Sequence, residues 1–422
     1  MATRRQFIKQ GFGMVTASVM LPKIMLTPAG AQTLEPEANL QHRLVVIQFN
    51  GGNDGLNTVI PYTDPLYLSR RQTIGFTADE LRDDVGTSMI IENGFALHPR
   101  LKEIRDFYQA GKVAIVRGVG YPNQSTSHFE GTAKIASGMV DNASTEGWLG
   151  RYAGQAFTGR NEFLAASISG SLPLAFYSSN YVIPSISNFA NYTFTTDGRF
   201  NRDRNNQIRA FTAGNGRTFP SGSFINSIAS TGAQAYRDAV TIQTETAKYS
   251  PVGYPNTGLA NALKMVSQLM VTIPTTCLAH VAIGGFDTHT NQIVNGSKVN
   301  GGHASLLQQF SQAVKAFYDD LAAHNLSQNT LIMTYSEFAR RPGQNAGNGT
   351  DHGRAAPWFV IGDSVRRGMY SDQPSLSTLD GGGNQRETCD FRQIYAEIID
   401  KWFSHDSRSV LGGSYSHLGF LT

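Results

Sequence analysis

The chain has 422 residues, of which 40% are hydrophobic and only 16% charged. That balance is too apolar for a disordered chain, and its 43 Gly fit many tight turns better than a helical bundle. The net charge of +3 sits at one end: residues 1–31 carry Arg4, Arg5, Lys9 and Lys23 with no acid, which leaves the remainder at −1 and without the basic block that nucleic-acid binding demands.

The chain opens on Thr3-Arg4-Arg5-Gln6-Phe7-Ile8-Lys9. A mildly apolar run from Gly11 to Leu26 follows, then Ala29-Gly30-Ala31. Twin arginines, a weak apolar region and a small-x-small site, in that order, resemble a twin-arginine export signal. The expectation is cleavage near Ala31, passage through the twin-arginine translocase as a folded protein, and a periplasmic or secreted product. Pro22 and Lys23 break the apolar run, so no stable membrane anchor is expected. Cys277 and Cys389 lack metal-ligand spacing, which excludes a zinc–thiolate site and leaves either one disulfide or two buried thiols.

Residues 32–422 read as a single α/β domain. Leu44-Val-Val-Ile-Gln-Phe49 is a short continuous apolar run ending in Asn50-Gly51-Gly52-Asn53-Asp54-Gly55, the pattern of a buried strand opening into a loop. Leu101, Ile104 and Tyr108 recur at helical spacing, with Gly111 as a stop. Residues 113–119 read as a second buried strand, parallel to the first by a right-handed crossover. Residues 155–255 are rich in Ser, Asn, Thr, Gly and aromatics with weak periodicity, and read as an irregular insertion or cap. The α/β pattern returns with strands at 278–283 and 330–335, a helix whose face runs from Leu306 to Leu321, a short strand at Pro357–Ile361, and an amphipathic helix from Ile394 to Trp402. The fold class is therefore a doubly wound, mostly parallel sheet.

Several of these strands lead into loops that carry carboxylate or imidazole groups. The first leads to Asp54. The second leads to Ser125-Thr126-Ser127-His128. The third leads to Asp287, His289 and, farther on, His303. The fourth leads to Glu337, and the loop before the last strand holds Asp351 and His352. Carboxyl ends of parallel strands line one crevice, so groups distant in sequence converge there. Oxygen and nitrogen donors without thiolate suit Zn, Mn, Mg, Ca or Fe. Singly, each has a plainer role: Asp54 before Gly55 and Asp351 before His352-Gly353 are ordinary turn chemistry, and His303 suits a helix cap. His42, His98, His280, His324, His405 and His417 lack such company and read as packing or surface residues. His128 is left open.

The stretches Leu44–Asn57 (LVVIQFNGGNDGLN), Ser127-His128-Phe129, Gly285–Gln292 (GFDTHTNQ), Tyr335–Arg341 (YSEFARR), Gly349–Gly353 (GTDHG) and Asp390-Phe391-Arg392 resemble, in order, a family of unknown function numbered 1501. That family is in turn similar to the alkaline phosphatase and sulfatase superfamily. The resemblance implies an exported hydrolase of phosphate or sulfate esters, small or polymeric, that uses a divalent metal (Mg, Mn, Ca or Zn). It implies Ser127 as nucleophile, with Ser125 and Thr126 as rivals, and Asp54, Asp287, His289, His303, Glu337, Asp351 and His352 as metal ligands. Glu337-Phe338 departs from the superfamily's Asp-His pair. The lost imidazole implies at most one tightly held metal in an oxygen-rich site, with Arg340 and Arg341 as substitutes for the missing charge. The alternative is a non-catalytic exported binding or assembly protein that keeps the fold. A further option is a carbohydrate surface on the aromatics of the insertion (Phe176, Tyr177, Tyr181, Phe189, Tyr192 and Phe194).

Overall fold

The computed structural model describes residues 41–421 except 142–143, 158–162, 195, 197–198 and 222, so the proposed signal segment 1–31 lies outside the described residues. Ten strands matter for the site: β1 (Arg43–Asn50), β2 (Val113–Gly120), β3 (Ala165–Ser167), β4 (Leu278–Gly284), β5 (Thr330–Ser336), β6 (Ala339–Gln344), β7 (Thr350–Gly353), β8 (Ala356–Ile361), β9 (Gly368–Tyr370) and β10 (Cys389–Asp390). The helices used below are α1 (Lys102–Gln109), α2 (His128–Ser137), α3 (Trp148–Ala156), α4 (Asn201–Asn215), α5 (Phe224–Glu245), α6 (Gly258–Thr272), α7 (Gly302–Ala323) and α8 (Phe391–Glu397).

The central sheet runs β9-β2-β8-β5-β1-β4-β3, with β10 paired to β2. β1 is parallel to both β4 and β5, and its seven described pairs with each keep one unbroken register. The reason is visible in the sequence of β1: alternate residues face opposite sides of a strand, and here both sets are apolar. Val45, Ile47 and Phe49 pack with Ile104 of α1, Leu263 of α6 and Phe310 of α7. Leu44 and Val46 pack with Trp148 and Tyr152 of α3 and Tyr395 of α8. Helices thus cover both faces, which is the doubly wound arrangement.

One strand runs against the rest. β8 is antiparallel to both β5 and β2. Its first residue, Ala356, pairs with Val119 at the end of β2. The start of β8 therefore lies at the edge where β1, β2, β4 and β5 finish. The segment before it is not an open loop, as its turn-like sequence suggests, but a two-stranded ribbon of β6 and β7 with Arg340 opposite His352. The 155–255 stretch also holds more order than its weak periodicity implies. It contributes the edge strand β3 and two helices, α4 and α5. Cys277 and Cys389 are both buried and are not joined to each other. No helix among the described residues is long and apolar enough to cross a membrane.

Candidate metal centre

Four connections meet at the carboxyl edge of the sheet. After β2 the chain runs through Ser125–Ser127 into α2, so His128 is the first residue of that helix. α2 sits unusually close to the segment after β5, because Gly131 has no side chain: a Cβ there would lie 2.9 Å from the Glu337 carbonyl oxygen. After β4 come Asp287 and His289. The β6–β7 ribbon brings His352 back to the same place. His128, Asp287 and His352 each offer one donor atom, and the three atoms lie within 4.8 Å of one another.

The orientation of each imidazole is fixed from behind. His352 Nδ1 lies 2.8 Å from the Thr126 carbonyl, which can only accept, so Nδ1 carries a proton and Nε2 points into the cluster. His128 Nδ1 lies 2.9 Å from Glu337 Oε1. That oxygen also accepts from the Gly51 amide at 2.8 Å, while the other lies 3.2 Å from Ser336 Oγ, whose proton points to the Phe49 carbonyl at 2.7 Å. His289 Nδ1 meets Asp351 Oδ1 at 3.2 Å. Three Nε2 atoms therefore turn toward the Asp287 carboxylate, at 3.6 Å from His128, 3.1 Å from His352 and 3.2 Å from His289. His289 Nε2 and His352 Nε2 are only 2.9 Å apart. Two facing lone pairs would repel at that distance, a repulsion that a shared proton or a cation relieves. Anchored Nδ1–H groups with Nε2 free are the arrangement that metal-binding histidines use. The residues fit a divalent ion.

Asp287 is held ready for that role. Burial pushes its carboxyl group up, but hydrogen bonds from Arg340 and His352 outweigh this and bring it to about 2. Arg340 itself is fully buried and committed: besides Asp287 Oδ1 at 2.6 Å it donates to the carbonyls of Gly51, Gly52, Phe286 and Thr350. It ties the Gly-rich loop, the β4 connection and the ribbon into one rigid corner. It is not free to meet a substrate, whereas Arg341 beside it is exposed. Phe338 forms the floor, with ring centroids 4.8 Å from His128 and 4.4 Å from His352. Gly52, in the left-handed region at φ +79°, admits this ring; a Cβ would stand 2.1 Å from Phe338 Cε2.

The residues singled out in the sequence thus separate into three positions. Asp287, His352 and His289 converge. Glu337 and Asp351 stand one layer back, where each holds a histidine through Nδ1. Asp54 and His303 lie outside the cluster. Asp54 is fully buried in an ion pair with Arg71, Oδ2 to Nη1 at 2.6 Å, and accepts from Gln292. Burial raises its carboxyl, yet Arg71 prevails and holds it below the ordinary carboxylate range. His303 is buried with Nε2 3.0 Å from Asn53 Oδ1. Burial drives its imidazole down to about 4, helped by the Arg71 and Arg340 charges and only partly opposed by Asp54, so it is neutral. The residue that sequence reasoning left undecided, His128, supplies the nitrogen that Phe338 cannot, so the donor set is richer in nitrogen than Glu337-Phe338 implies. Its signal was its place right after the Ser/Thr run that follows β2.

That run is differentiated too. Ser125 Oγ donates to Glu130 at 2.8 Å and accepts from the Ser127 amide at 3.2 Å. Thr126 is held through its carbonyl by His352. Ser127 is exposed, stands at the N-cap of α2, and makes no capping bond with its side chain.

The profile of the family described as "Protein of unknown function (DUF1501)" matches residues 119–402. No curated protein matches the chain. Among solved structures, it is similar to a protein in the alkaline phosphatase superfamily from Vibrio parahaemolyticus, at 8% identity and a TM-score of 0.35 over 89% of this chain and 72% of that one. The lipoteichoic acid synthase LtaP from Listeria monocytogenes matches at 8% identity and 0.34 over 78% and 68%. Alkaline phosphatase from the Antarctic bacterium TAB5 matches at 9% and 0.28 over 76% and 92%. Scores of this size mark a distant likeness of shape.

Proposed function

Since the chain belongs to the DUF1501 family of proteins of unknown function, we propose from its own geometry that it is a divalent-metal-dependent hydrolase of phosphate or sulfate esters. The observation that carries this reading is the convergence of His128 Nε2, Asp287 and His352 Nε2, each anchored from behind, at a solvent-open edge beside an unengaged serine. His128, Asp287 and His352 would hold the ion, with His289 next to them; two or three imidazoles and one carboxylate favour Zn or Mn over Ca. Bound there, the ion would act as a Lewis acid on the ester oxygens and lower the pKa of a neighbouring hydroxyl. The chain supplies the rest. Ser127 offers the hydroxyl, and the N-terminal amides of α2 favour negative charge at that spot. Arg340 keeps Asp287 ionised and in place. Arg341 adds an exposed positive charge near Asp351, suited to draw in an anionic ester.

Calorimetric titration of the metal-free protein with Zn²⁺ or Mn²⁺ tests the centre. The expected result is one tightly held ion per chain. His352→Ala should weaken binding by more than about 100-fold, because loss of a ligand exceeds the loss of its outer partner. Two tightly held ions would show that the one-metal reading is mistaken. No bound ion would instead favour the non-catalytic binding or assembly protein.

We also propose that residues 1–31 send the folded protein out of the cytoplasm by the twin-arginine route. Arg4→Lys combined with Arg5→Lys should leave uncleaved precursor in the cytoplasm on fractionation. Normal amounts of mature protein in the periplasm would refute this.

A further inference from the structure

A cleft of about 540 Å³ opens beside the candidate centre, lined by Pro122, Asn123, Arg354, Asp380, Arg386 and Glu387 among others. That size falls within the roughly 300–1,000 Å³ of small-molecule sites. The cleft and the centre share one wall. The 121–127 segment contributes Pro122 and Asn123 to the cleft, while its Thr126 carbonyl holds His352 at 2.8 Å. Arg354 follows His352 by two residues, just past the end of β7, so the same turn carries both. Gln124, between them in the wall, donates to the Glu337 carbonyl.

The polar groups of the cleft are partly committed and partly free. Asp380 is spent on structure: Oδ1 accepts from the Gly382 and Asn384 amides at 2.9 and 2.8 Å, and Oδ2 accepts from Arg354 Nη1 at 2.8 Å. This loop pins one edge of the Arg354 guanidinium and leaves its Nε buried without a partner among the described residues. Ala355, next to Arg354, sits in the left-handed region at φ +70°, a conformation that costs an alanine about 1–2 kcal/mol. Arg386 is exposed and Glu387 half-buried. Neither forms a salt bridge among the described residues.

Free groups of both signs in one cavity, with the amide of Asn123 beside them, define the ligand. A purely anionic ligand would meet Glu387 and Asp380, and a cationic one would meet Arg354 and Arg386. Hydroxyl groups both donate and accept, so they satisfy the full set. No aromatic side chain lines the cleft, so recognition rests on hydrogen bonds and not on stacking. We propose that this cleft binds a neutral polyhydroxylated group, a sugar ring or polyol, and that this group is the alcohol portion of the ester processed at the adjoining centre. The second half of the proposal rests on the hydrolase reading above; the first half does not.

The test is chosen to keep the two apart. Saturation-transfer NMR on the full-length mature protein, with unesterified methyl glucoside, methyl galactoside and myo-inositol as probes, needs no turnover. At least one probe should bind. Arg386→Ala and Glu387→Gln should each weaken it by about tenfold, the worth of one charged hydrogen bond. His352→Ala should leave it within twofold, because it alters the metal centre and not the cleft. Binding of none of the probes would overturn the cleft assignment. So would binding that neither Arg386→Ala nor Glu387→Gln disturbs, which would move the sugar elsewhere, for instance to the aromatic-rich insertion. Preference for glucuronate over neutral glucosides would overturn it in favour of an anion site. Given neutral-sugar binding, the second half predicts that Arg386→Ala raises KM about tenfold for a sugar phosphate or sulfate and leaves KM for the p-nitrophenyl ester unchanged. Equal effects on both esters would sever the cleft from the reaction. Absence of any hydrolysis alongside intact sugar binding would count against the hydrolase reading and the substrate link together, while leaving the polyol site standing.

Discussion

Ser127→Ala should lower kcat toward an activated phosphate or sulfate ester by about 10³-fold or more while leaving metal affinity within about twofold. The size of the loss follows from the role: a nucleophile removed outright leaves only the electrostatic and binding contributions of the site. The lack of effect on the metal follows from position, because Ser127 is adjacent to His128 but is not among the three converging donors. The choice of Ser127 over its neighbours is structural. Ser125 is bonded both to Glu130 and to the Ser127 amide, so its hydroxyl is tied into the turn. Ser127 is exposed, makes no capping bond, and stands where the α2 dipole stabilises a developing alkoxide. Being exposed, it leaves no cavity when truncated, so the variant should melt within about 1 °C of the parent. Steady-state kinetics with matched metal content decides the matter. Full turnover in Ser127→Ala would transfer the role to Thr126 or to water, and a large loss of metal affinity would mean that the serine is part of the ion's own shell.

Arg71→Ala should destabilise the fold by about 3–5 kcal/mol in urea denaturation. Arg71 and Asp54 are both fully buried, and the guanidinium is spread over Asp54, Asn57 and the carbonyls of Pro342 and Arg341. Asp54 Oδ1 already lacks a partner among the described residues. Removing the cation leaves a buried carboxylate with Gln292 as its main support. The double variant Arg71→Met with Asp54→Leu should recover part of the loss, because it removes the unpaired buried carboxylate but leaves the Pro342 and Arg341 carbonyls and the Gln292 amide without these partners. The pH dependence has a definite sign. The folded pKa of Asp54 lies below its unfolded value of about 3.9. Its contribution is therefore complete above that value and is lost as the pH falls through the folded pKa. The double variant should accordingly lose less stability than the parent between about pH 5 and pH 2. A single variant as stable as the parent would show that Asp54 is neutral in the fold.

The strands and the main helices were legible because their signals are local. The apolar run of β1 needs both faces covered, and the face from Leu306 to Leu321 has one helical solution, realised in α7. The lateral order of the sheet was not legible. Nothing within Pro357–Ile361 says that β8 runs antiparallel between β2 and β5, since a short buried strand reads alike in either direction. The candidate site was legible as chain order and not as geometry. Asp287, His289 and His352 follow from their places at strand ends. That Glu337 backs His128 instead of facing solvent depends on the approach of α2 at Gly131, a contact between segments far apart in the chain. The partner of Asp54 was hidden for the same reason. Arg71 lies in a polar, irregular stretch, and only the folded structure brings it beneath the Gly-rich loop.

The three converging donors come from three different connections: after β2, after β4, and from the ribbon ahead of β8. No helix turn or hairpin places two of them together in advance, unlike a metal motif built into one short segment. An unfolded or half-assembled chain therefore offers an ion only scattered single histidines and carboxylates, and tight uptake waits for the sheet to close. On the proposed metal-dependent reading, loading is then the final event of maturation. On the proposed reading, the ion would be set by the free-metal pool of whichever compartment sees the closed sheet first, and for a chain exported already folded its identity would record where the chain folded and not where it works.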